Sequence, residues 1–282
     1  MAKSISVYLQ YLMPKRALTA LAGKLARCKK PWLKNALIRY FLRRFDVDMR
    51  SAVIENPLDY ANFNLFFTRK LKPELRPIAS APDQIACPVD GTICQIGDIK
   101  ENTLFQAKQF DFTLKNLLGG FEKNAGLFQN GNYGIFYLAP KDYHRVHLPF
   151  SGKLRESIFI PGKLFSVNQK TTDSVANLFA RNERLVSLFD TEIGPMAVIM
   201  VGAMLVGSIE TVWHANTKTN KIVTEKFGGS LSYERGAEMG YFEMGSTVIL
   251  LFGKDKISWN TNLQAGSKVQ YGEWIASLNK KG

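Results

Sequence analysis

The run Thr247-Val248-Ile249-Leu250-Leu251-Phe252 consists of β-branched, aliphatic and aromatic residues, and it has the length of a strand. Similar apolar runs occupy residues 133–138 and 198–201. Gly, Pro, Asn and Asp separate these runs, which is typical of short strands joined by turns. We therefore predict that the chain is mainly β from about residue 80.

Two further features describe this β body. Residues 88–93 and 266–273 alternate turn glycines with β-forming residues, a pattern that recurs in barrel-sandwich folds. Two short helices are predicted at residues 111–118 and 173–180, each with its leading aspartate as the N-cap. The predicted fold class is α+β, mainly β: a barrel-sandwich-like β body with a helical, amphipathic amino-terminal region.

The amino-terminal region has the i, i+3, i+4, i+7 spacing of amphipathic helices. Pro14 and Pro31 stand where helices begin. The apolar residues of the three predicted helical segments are Ile5, Tyr8, Leu9 and Leu12, then Leu18, Leu21 and Leu25, and then Leu33, Ala36, Leu37, Tyr40 and Phe41. We predict two parts: residues 1–60 form a basic amphipathic helical region, and residues 61–282 form a β-rich domain.

Most of the positive charge lies in the same region. The formal net charge is +13, and residues 1–50 contain 12 Lys and Arg against 2 acidic residues. Charges interrupt every window long enough to span a bilayer, and the region lacks the apolar core of a signal peptide. A basic amphipathic segment with Trp, Tyr and Phe suits the plane of an anionic membrane surface. The alternative, that these helices pack on the protein's own body, stays open, whereas nucleic acid is not expected as a partner because the chain lacks a known reader motif.

The composition excludes several classes of protein. The chain has 282 residues, 46% of them hydrophobic, so it can bury a substantial core and is not globally disordered. Its three cysteines, Cys28, Cys87 and Cys94, are too few and too scattered for a disulfide framework or a structural zinc site. We therefore expect a reducing compartment.

Four residues could carry chemistry. His144 and His147 lie in one short segment, and imidazole suits acid–base work because it titrates near neutral pH. The two lack a nearby third ligand, so no metal site is expected. Asp90 and Ser246 each lie beside a glycine, where an ordinary turn residue is the simplest alternative. Ser246 is not in a Gly-x-Ser-x-Gly elbow, and residue patterns alone leave a triad of Asp90, His147 and Ser246 open.

A set of motifs, in matching order and spacing from about residue 50 to the end, resembles the phosphatidylserine decarboxylase proenzymes of the compact bacterial type, a pyruvoyl-dependent family. The motifs are Phe-Asn-Leu-Phe-Phe-Thr-Arg-Lys-Leu-Lys-Pro at 63–73, Pro-Val-Asp-Gly at 88–91, Tyr-His-Arg-Val-His at 143–147, Pro-Gly-Lys-Leu-Phe-Ser-Val-Asn at 161–168, Val-Gly-Ala at 201–203, Val-Gly-Ser-Ile at 206–209, residues 236–242 and Gly-Ser-Thr at 245–247. Two departures are Met244 and Ala237, where the family usually has Leu and Glu. Neither removes a catalytic group.

The resemblance implies that the chain cuts itself between Gly245 and Ser246. Ser246 would attack the Gly245 carbonyl and become an amino-terminal pyruvoyl group, the covalent cofactor. The products would be a β chain, 1–245, and an α chain, 246–282. In the family, the positions of His147 and Asp90 belong to the base and to the carboxylate that orients it.

The resemblance also implies the reaction. The pyruvoyl group would form a Schiff base with phosphatidylserine, CO₂ would leave, and phosphatidylethanolamine would remain. His144 matches the position that returns a proton to Cα. The enzyme would be peripheral, on the cytoplasmic face of the bacterial inner membrane, with its two chains kept together as a heterodimer and further dimerised as in the family.

Two other functions remain open from the residues alone. One is a membrane-bound serine hydrolase that uses Asp90, His147 and Ser246 without self-cleavage. The other is a basic adaptor without catalytic activity that docks on anionic membranes or nucleic acid. The state of the chain distinguishes them, because only the decarboxylase requires a cut chain for activity.

Overall fold

The computed structural model describes residues 10–11, 13–107, 110–203, 208–243 and 246–279. The helices are α1 (Lys15–Ala26), α2 (Pro31–Arg44), α3 (Phe63–Phe67), α4 (Leu114–Leu117), α5 (Glu122–Gly126), α6 (Gln169–Thr172) and α7 (Leu178–Arg181), with 3₁₀ turns at Pro57–Asp59 and Pro73–Leu75. The strands are β1 (Gln84–Ala86), β2 (Gly91–Asp98), β3 (Thr103–Ala107), β4 (Phe110–Thr113), β5 (Asn132–Leu138), β6 (Arg145–His147), β7 (Gly152–Ile160), β8 (Arg184–Thr191), β9 (Gly194–Val201), β10 (Ile209–Thr211), β11 (Val223–Tyr233), β12 (Glu238–Phe242), β13 (Ser246–Phe252), β14 (Ile257–Trp259), β15 (Lys268–Val269) and β16 (Trp274–Leu278).

Strand β13, which contains the apolar run 247–252, lies in the middle of the main sheet. This antiparallel sheet has eight strands in the order β11-β7-β8-β9-β13-β5-β2-β15. Each residue of β13 is buried, and Ile249 lies opposite Ile199 of β9 and Ile135 of β5. A strand buried on both faces reads as a continuous apolar run rather than as an alternation, which is why residues 248–252 of β13 are all apolar.

Three smaller sheets complete the β part: β1-β16-β14, β10-β12-β6 and the hairpin β3-β4. The prediction of a mainly β chain with a helical amino-terminal region is confirmed. The large core lies between these sheets and the short helices that cover them.

The two short helices predicted in the body are wrong in their placement. Residues 110–113 form β4 instead, with Phe112 buried, because pairing with β3 satisfies their backbone groups. Helix α4 follows with Thr113 as its N-cap, whose Oγ1 accepts a hydrogen bond from the Asn116 amide at 3.2 Å. The predicted helix 173–180 is replaced by α6 and α7 on either side of a turn, so Asp173 follows a helix rather than starting one.

The amino-terminal helices begin where the prolines predict. Pro14 is the N-cap of α1, and Pro31 is the first residue of α2. The first predicted segment, residues 5–12, lies almost entirely outside the described residues. None of the described helices is both long enough and apolar enough to cross a membrane.

A second, smaller core joins α2 to α3. Ile38 and Phe41 of α2 are buried against Phe63, Phe66 and Phe67 of α3, with edge-to-face ring contacts between Phe41 and each of these three phenylalanines. This core extends across residue 60, so the division into 1–60 and 61–282 stays a prediction. Its position matters because Phe67 of α3 also stacks on His144, which is described below.

Candidate active site

The four candidate residues come together around the end of β5. Ser246, the first residue of β13, pairs with Leu138, the last residue of β5. His144 Nε2 lies 3.1 Å from the carbonyl oxygen of Ala139, the next residue along the chain. Sheet pairing and this hydrogen bond thus place Ser246 and His144 at two consecutive residues, Leu138 and Ala139. The expected cleavage partner of Ser246, Gly245, lies outside the described residues.

Asp90 and His147 approach the same place from neighbouring elements. Asp90 directly precedes β2, and the His147 amide donates to the Pro88 carbonyl at 2.9 Å. Gly91, the first residue of β2, lies so close to β5 that a Cβ there would be 2.4 Å from the Tyr137 carbonyl oxygen. Only glycine permits this approach, which holds Asp90 against the end of β5.

His147 is a neutral imidazole with a defined tautomer. Its Nδ1 lies 2.8 Å from the Gly236 carbonyl oxygen, and a carbonyl only accepts, so Nδ1 carries the proton. The Tyr143 hydroxyl lies 3.0 Å from Nε2 and donates to its lone pair. Burial lowers the pKa of His147, and the Tyr271 ring stacks on the imidazole at 3.8 Å between centroids. The basic nitrogen of His147 is therefore Nε2.

His144 is also neutral, but one of its nitrogens is unsatisfied. Nε2 donates to Ala139, so the lone pair is on Nδ1, which is buried and has no hydrogen-bond partner among the described residues. The ring stacks on Phe67 of α3 at 4.1 Å between centroids. Burial lowers the pKa of His144 to about 3, and the nearby Arg69 cation acts in the same direction.

Asp90 is held by three donors, none of them a histidine. Arg76 Nε and Nη2 donate to its two carboxylate oxygens at 3.1 and 2.6 Å, and the Tyr271 amide donates at 2.8 Å. Both nitrogens of His147 have other neighbours, so within the described part of the chain Asp90 makes no hydrogen bond to His147. The two are connected through Tyr271, whose amide binds Asp90 and whose ring covers His147.

Unsatisfied buried polar atoms gather at this site. Buried side-chain atoms without a partner in the described residues are rare, and most belong to residues in or next to the site: Ser246 Oγ, Thr247 Oγ1, His144 Nδ1, Asn64 Oδ1, and Arg69 Nε and Nη1. Leaving a buried donor or acceptor unpaired costs on the order of 1–3 kcal/mol each. Such a concentration indicates groups kept ready for a substrate or a proton rather than for stability.

Sequence reasoning missed several residues of the site. Tyr143 and Arg69 lie within quoted motifs, but no role was predicted for them. Arg76 and Tyr271 are distant from Asp90 along the chain and carry no local pattern. Tyr271 reaches the site because β15 pairs with the start of β2, with Val269 opposite Gly91. In the described ranges, no group of three or more His, Cys, Asp and Glu side chains is arranged to hold a metal ion.

Comparison with known proteins identifies relatives over nearly the whole chain. The sequence model described as phosphatidylserine decarboxylase matches residues 63–277, and a second model, described as PSD, matches residues 5–46. A protein of Azotobacter vinelandii is 48% identical over 276 residues, 96% of each chain. One of Pseudomonas fluorescens is 47% identical over 285 residues, 99% of this chain and 100% of the relative. One of Stutzerimonas stutzeri is 49% identical over 279 residues, 97% of this chain and 94% of the relative. All three relatives carry the name phosphatidylserine decarboxylase proenzyme.

Proposed function

Since the chain belongs to the phosphatidylserine decarboxylase family, we propose that it converts phosphatidylserine to phosphatidylethanolamine and CO₂ after cutting itself between Gly245 and Ser246. The observation that carries this proposal is the position of Ser246. Its hydroxyl is buried and without a partner in the described residues, at the head of β13, where Ser246 pairs with Leu138 and the following residue, Ala139, binds His144. A serine that served only as a turn residue would be exposed or hydrogen-bonded.

The proposed cut is a rearrangement followed by elimination. Ser246 Oγ attacks the carbonyl carbon of Gly245, and the peptide bond becomes an ester as the nitrogen takes up the proton. A base then removes the Cα proton of residue 246 as the Cβ–Oγ bond breaks, which releases the new carboxylate of Gly245. The dehydroalanine left at position 246 takes up water and loses ammonia, which leaves the pyruvoyl group.

His147 is the base in this proposal. A serine hydroxyl is a weak nucleophile at neutral pH and needs a base to accept its proton. The lowered pKa of His147 keeps its Nε2 lone pair free of a proton at neutral pH, as a base requires. The Tyr143 hydroxyl occupies that lone pair, so it must turn away or pass the proton on. Asp90 acts through Tyr271, which fixes the plane of the imidazole.

His144 is the residue that handles the substrate proton. The pyruvoyl group supplies an electrophilic carbonyl that draws electrons from the substrate as CO₂ leaves. The residues around Ser246 fit this chemistry, because the unpaired His144 Nδ1 and the buried hydroxyls offer hydrogen-bonding atoms from which bulk water is excluded. Nδ1 is neutral in the resting enzyme, so the proton that it returns to the substrate Cα is taken up only in the substrate complex, and each decarboxylation consumes one proton overall.

The amino-terminal helices hold the enzyme on the cytoplasmic membrane surface in this proposal. Leu21 and Leu25 lie one turn apart on α1 and are 56% and 41% exposed, and Trp32 and Tyr40 of α2 are 70% and 68% exposed. Lysines and arginines surround them. Large exposed apolar side chains among cations suit the interface of an anionic lipid surface, where phosphatidylserine itself resides.

Mass spectrometry of the intact protein tests the proposed function. We expect the wild-type protein to separate into chains 1–245 and 246–282, the latter without a free amino group, and to release CO₂ from phosphatidylserine vesicles. Ser246→Ala should stay at full length and be inactive. Ser187→Ala is the matched control, because Ser187 Oγ is equally buried and unpaired among the described residues, in β8 of the same sheet. A full-length wild-type chain with catalytic activity would instead support the serine hydrolase.

A further inference from the structure

Glu243 lies two residues before the expected cleavage bond, and its carboxylate is held by the amino-terminal helices. Oε1 accepts hydrogen bonds from Arg27 Nε at 3.2 Å and from Asn64 Nδ2 at 3.1 Å, and Oε2 accepts from Arg27 Nη2. Arg27 is the C-cap of α1, and Asn64 belongs to α3. We call Arg27, Asn64 and Glu243 the Glu243 cluster. It joins three parts of the chain that are far apart in sequence.

The main chain next to Glu243 is also fixed. The Phe242 amide donates to the His144 carbonyl at 3.0 Å, and the Glu243 amide donates to the Ser208 carbonyl at 3.2 Å. Beyond the expected bond, Ser246 pairs with Leu138, and Thr247 pairs with Val201. Glu243 and Ser246, the described residues on either side of the expected bond, are therefore both held by main-chain contacts.

A carboxylate at this position has an energetic cost. Glu243 is only 6% exposed, and burial raises its pKa even though Arg27 acts to lower it. A buried carboxylate without its cation is strongly unfavourable, whereas a pair with satisfied hydrogen bonds is tolerated. Removing Arg27 would therefore displace the Glu243 side chain, and with it the backbone that leads to Gly245.

We propose that the Glu243 cluster positions the cleavage segment for self-cleavage. This inference rests on the proposed function, because it assumes the cut at Gly245–Ser246. Attack by Ser246 Oγ requires the Gly245 carbonyl carbon at roughly 3–3.5 Å, and a displacement of about 1 Å can slow such a step by roughly 100-fold. Arg27 and Asn64 are positioning residues, since they act through Glu243. Maturation is thereby coupled to the docking of α1 on the body.

The rate of chain cleavage tests this inference. The wild-type protein, Glu243→Gln and Arg27→Ala are made by cell-free synthesis, and full-length and cut chains are followed over time by intact mass. We expect both variants to cut roughly 10- to 100-fold more slowly. The reversed pair, Arg27→Glu with Glu243→Arg, should recover at least part of the rate. Decarboxylation per molecule of cut enzyme should stay close to the wild-type value.

Asp190→Asn is the matched control, because it neutralises the carboxylate of the Arg155–Asp190 ion pair, which joins β7 to β8. It should cut at the wild-type rate. Variants of the Glu243 cluster that also cut at the wild-type rate would overturn the inference. A second result would do the same: the reversed pair has the melting temperature of the wild-type protein, yet it cuts as slowly as the single variants. A wild-type chain that stays uncut would instead refute the proposed function, so the two failures are distinguishable.

Discussion

Strand β13 and helix α1 both contain leucines, but these leucines differ in burial. Leu250 and Leu251 of β13 are fully buried, whereas Leu21 and Leu25 of α1 are largely exposed. A strand satisfies its backbone groups only through neighbours, so a central strand is covered on both edges and, in this fold, on both faces. A helix satisfies its own backbone and needs only one face against the body. The exposed leucines of α1 are therefore free to contact a lipid surface.

The largest expected difference between the two regions concerns stability. Leu250→Ala should lower the free energy of unfolding by about 3 kcal/mol, because it leaves a cavity in the core. Leu21→Ala, which changes an exposed side chain, should stay within about 0.5 kcal/mol of the parent. Urea denaturation measures both changes. The Ser246→Ala background keeps the chain in one piece, and comparable losses in the two variants would contradict the contrast.

Mild acid should lower the stability of the β body rather than that of the helical region, since all three histidines lie beyond residue 143. The unfolded chain takes up a proton on His144 below about pH 6.5, whereas the folded chain does not until about pH 3. The folded state therefore becomes less stable as the pH drops below about 6.5. One such histidine lowers the equilibrium constant for folding roughly tenfold for each pH unit. His147 acts in the same direction.

His144→Asn should make the free energy of unfolding less dependent on pH, because the unfolded variant no longer takes up a proton at position 144. Urea denaturation of uncut Ser246→Ala chains at pH 7, 6 and 5 measures the slope, in a range where most carboxylates stay ionised. His214→Asn is the control, because His214 lies in an exposed turn. An equal loss of slope in the control would argue against a special role for the buried ring.

The smallest expected effect concerns the membrane. Trp32→Ala should weaken binding to vesicles that contain phosphatidylserine by about fivefold, because an exposed indole would lose its place at the lipid interface. Trp274→Ala removes an indole that is 42% exposed on the β body and should leave binding unchanged. Sedimentation with vesicles at low and high salt measures both. If the two substitutions weakened vesicle binding equally, the amino-terminal helices would not be the membrane-binding surface.

The sequence predicts the elements best where one pattern governs a long segment. The apolar run of β13 and the proline-started helices α1 and α2 are found where expected. Residues 110–113 were misjudged because Asp111 resembles an N-cap, while the distant pairing with β3 decides the outcome. Local capping signals are weak compared with a hydrogen-bonded neighbour strand.

The site shows the same limit. Asp90, His144, His147 and Ser246 were identified by resemblance, and the structure brings them together at the end of β5. Their immediate partners were not, because Arg76 and Tyr271 reach Asp90 through tertiary contacts that have no sequence signature. Asp90 was expected to orient His147, and in the structure the two are connected through Tyr271.

The placement of the last four strands affects how the molecule could refold. β13 lies between β5 and β9, β15 pairs with β2, and β16 lies between β1 and β14. A cut before Ser246 would leave these strands bound in their sheets but no longer tethered to the rest of the chain. Refolding of the uncut precursor is a first-order reaction, whereas the cut pair would have to find each other by diffusion at a rate that depends on concentration. Each mature enzyme molecule would then rely on slow unfolding for its lifetime, since dilute fragments would not reassemble efficiently.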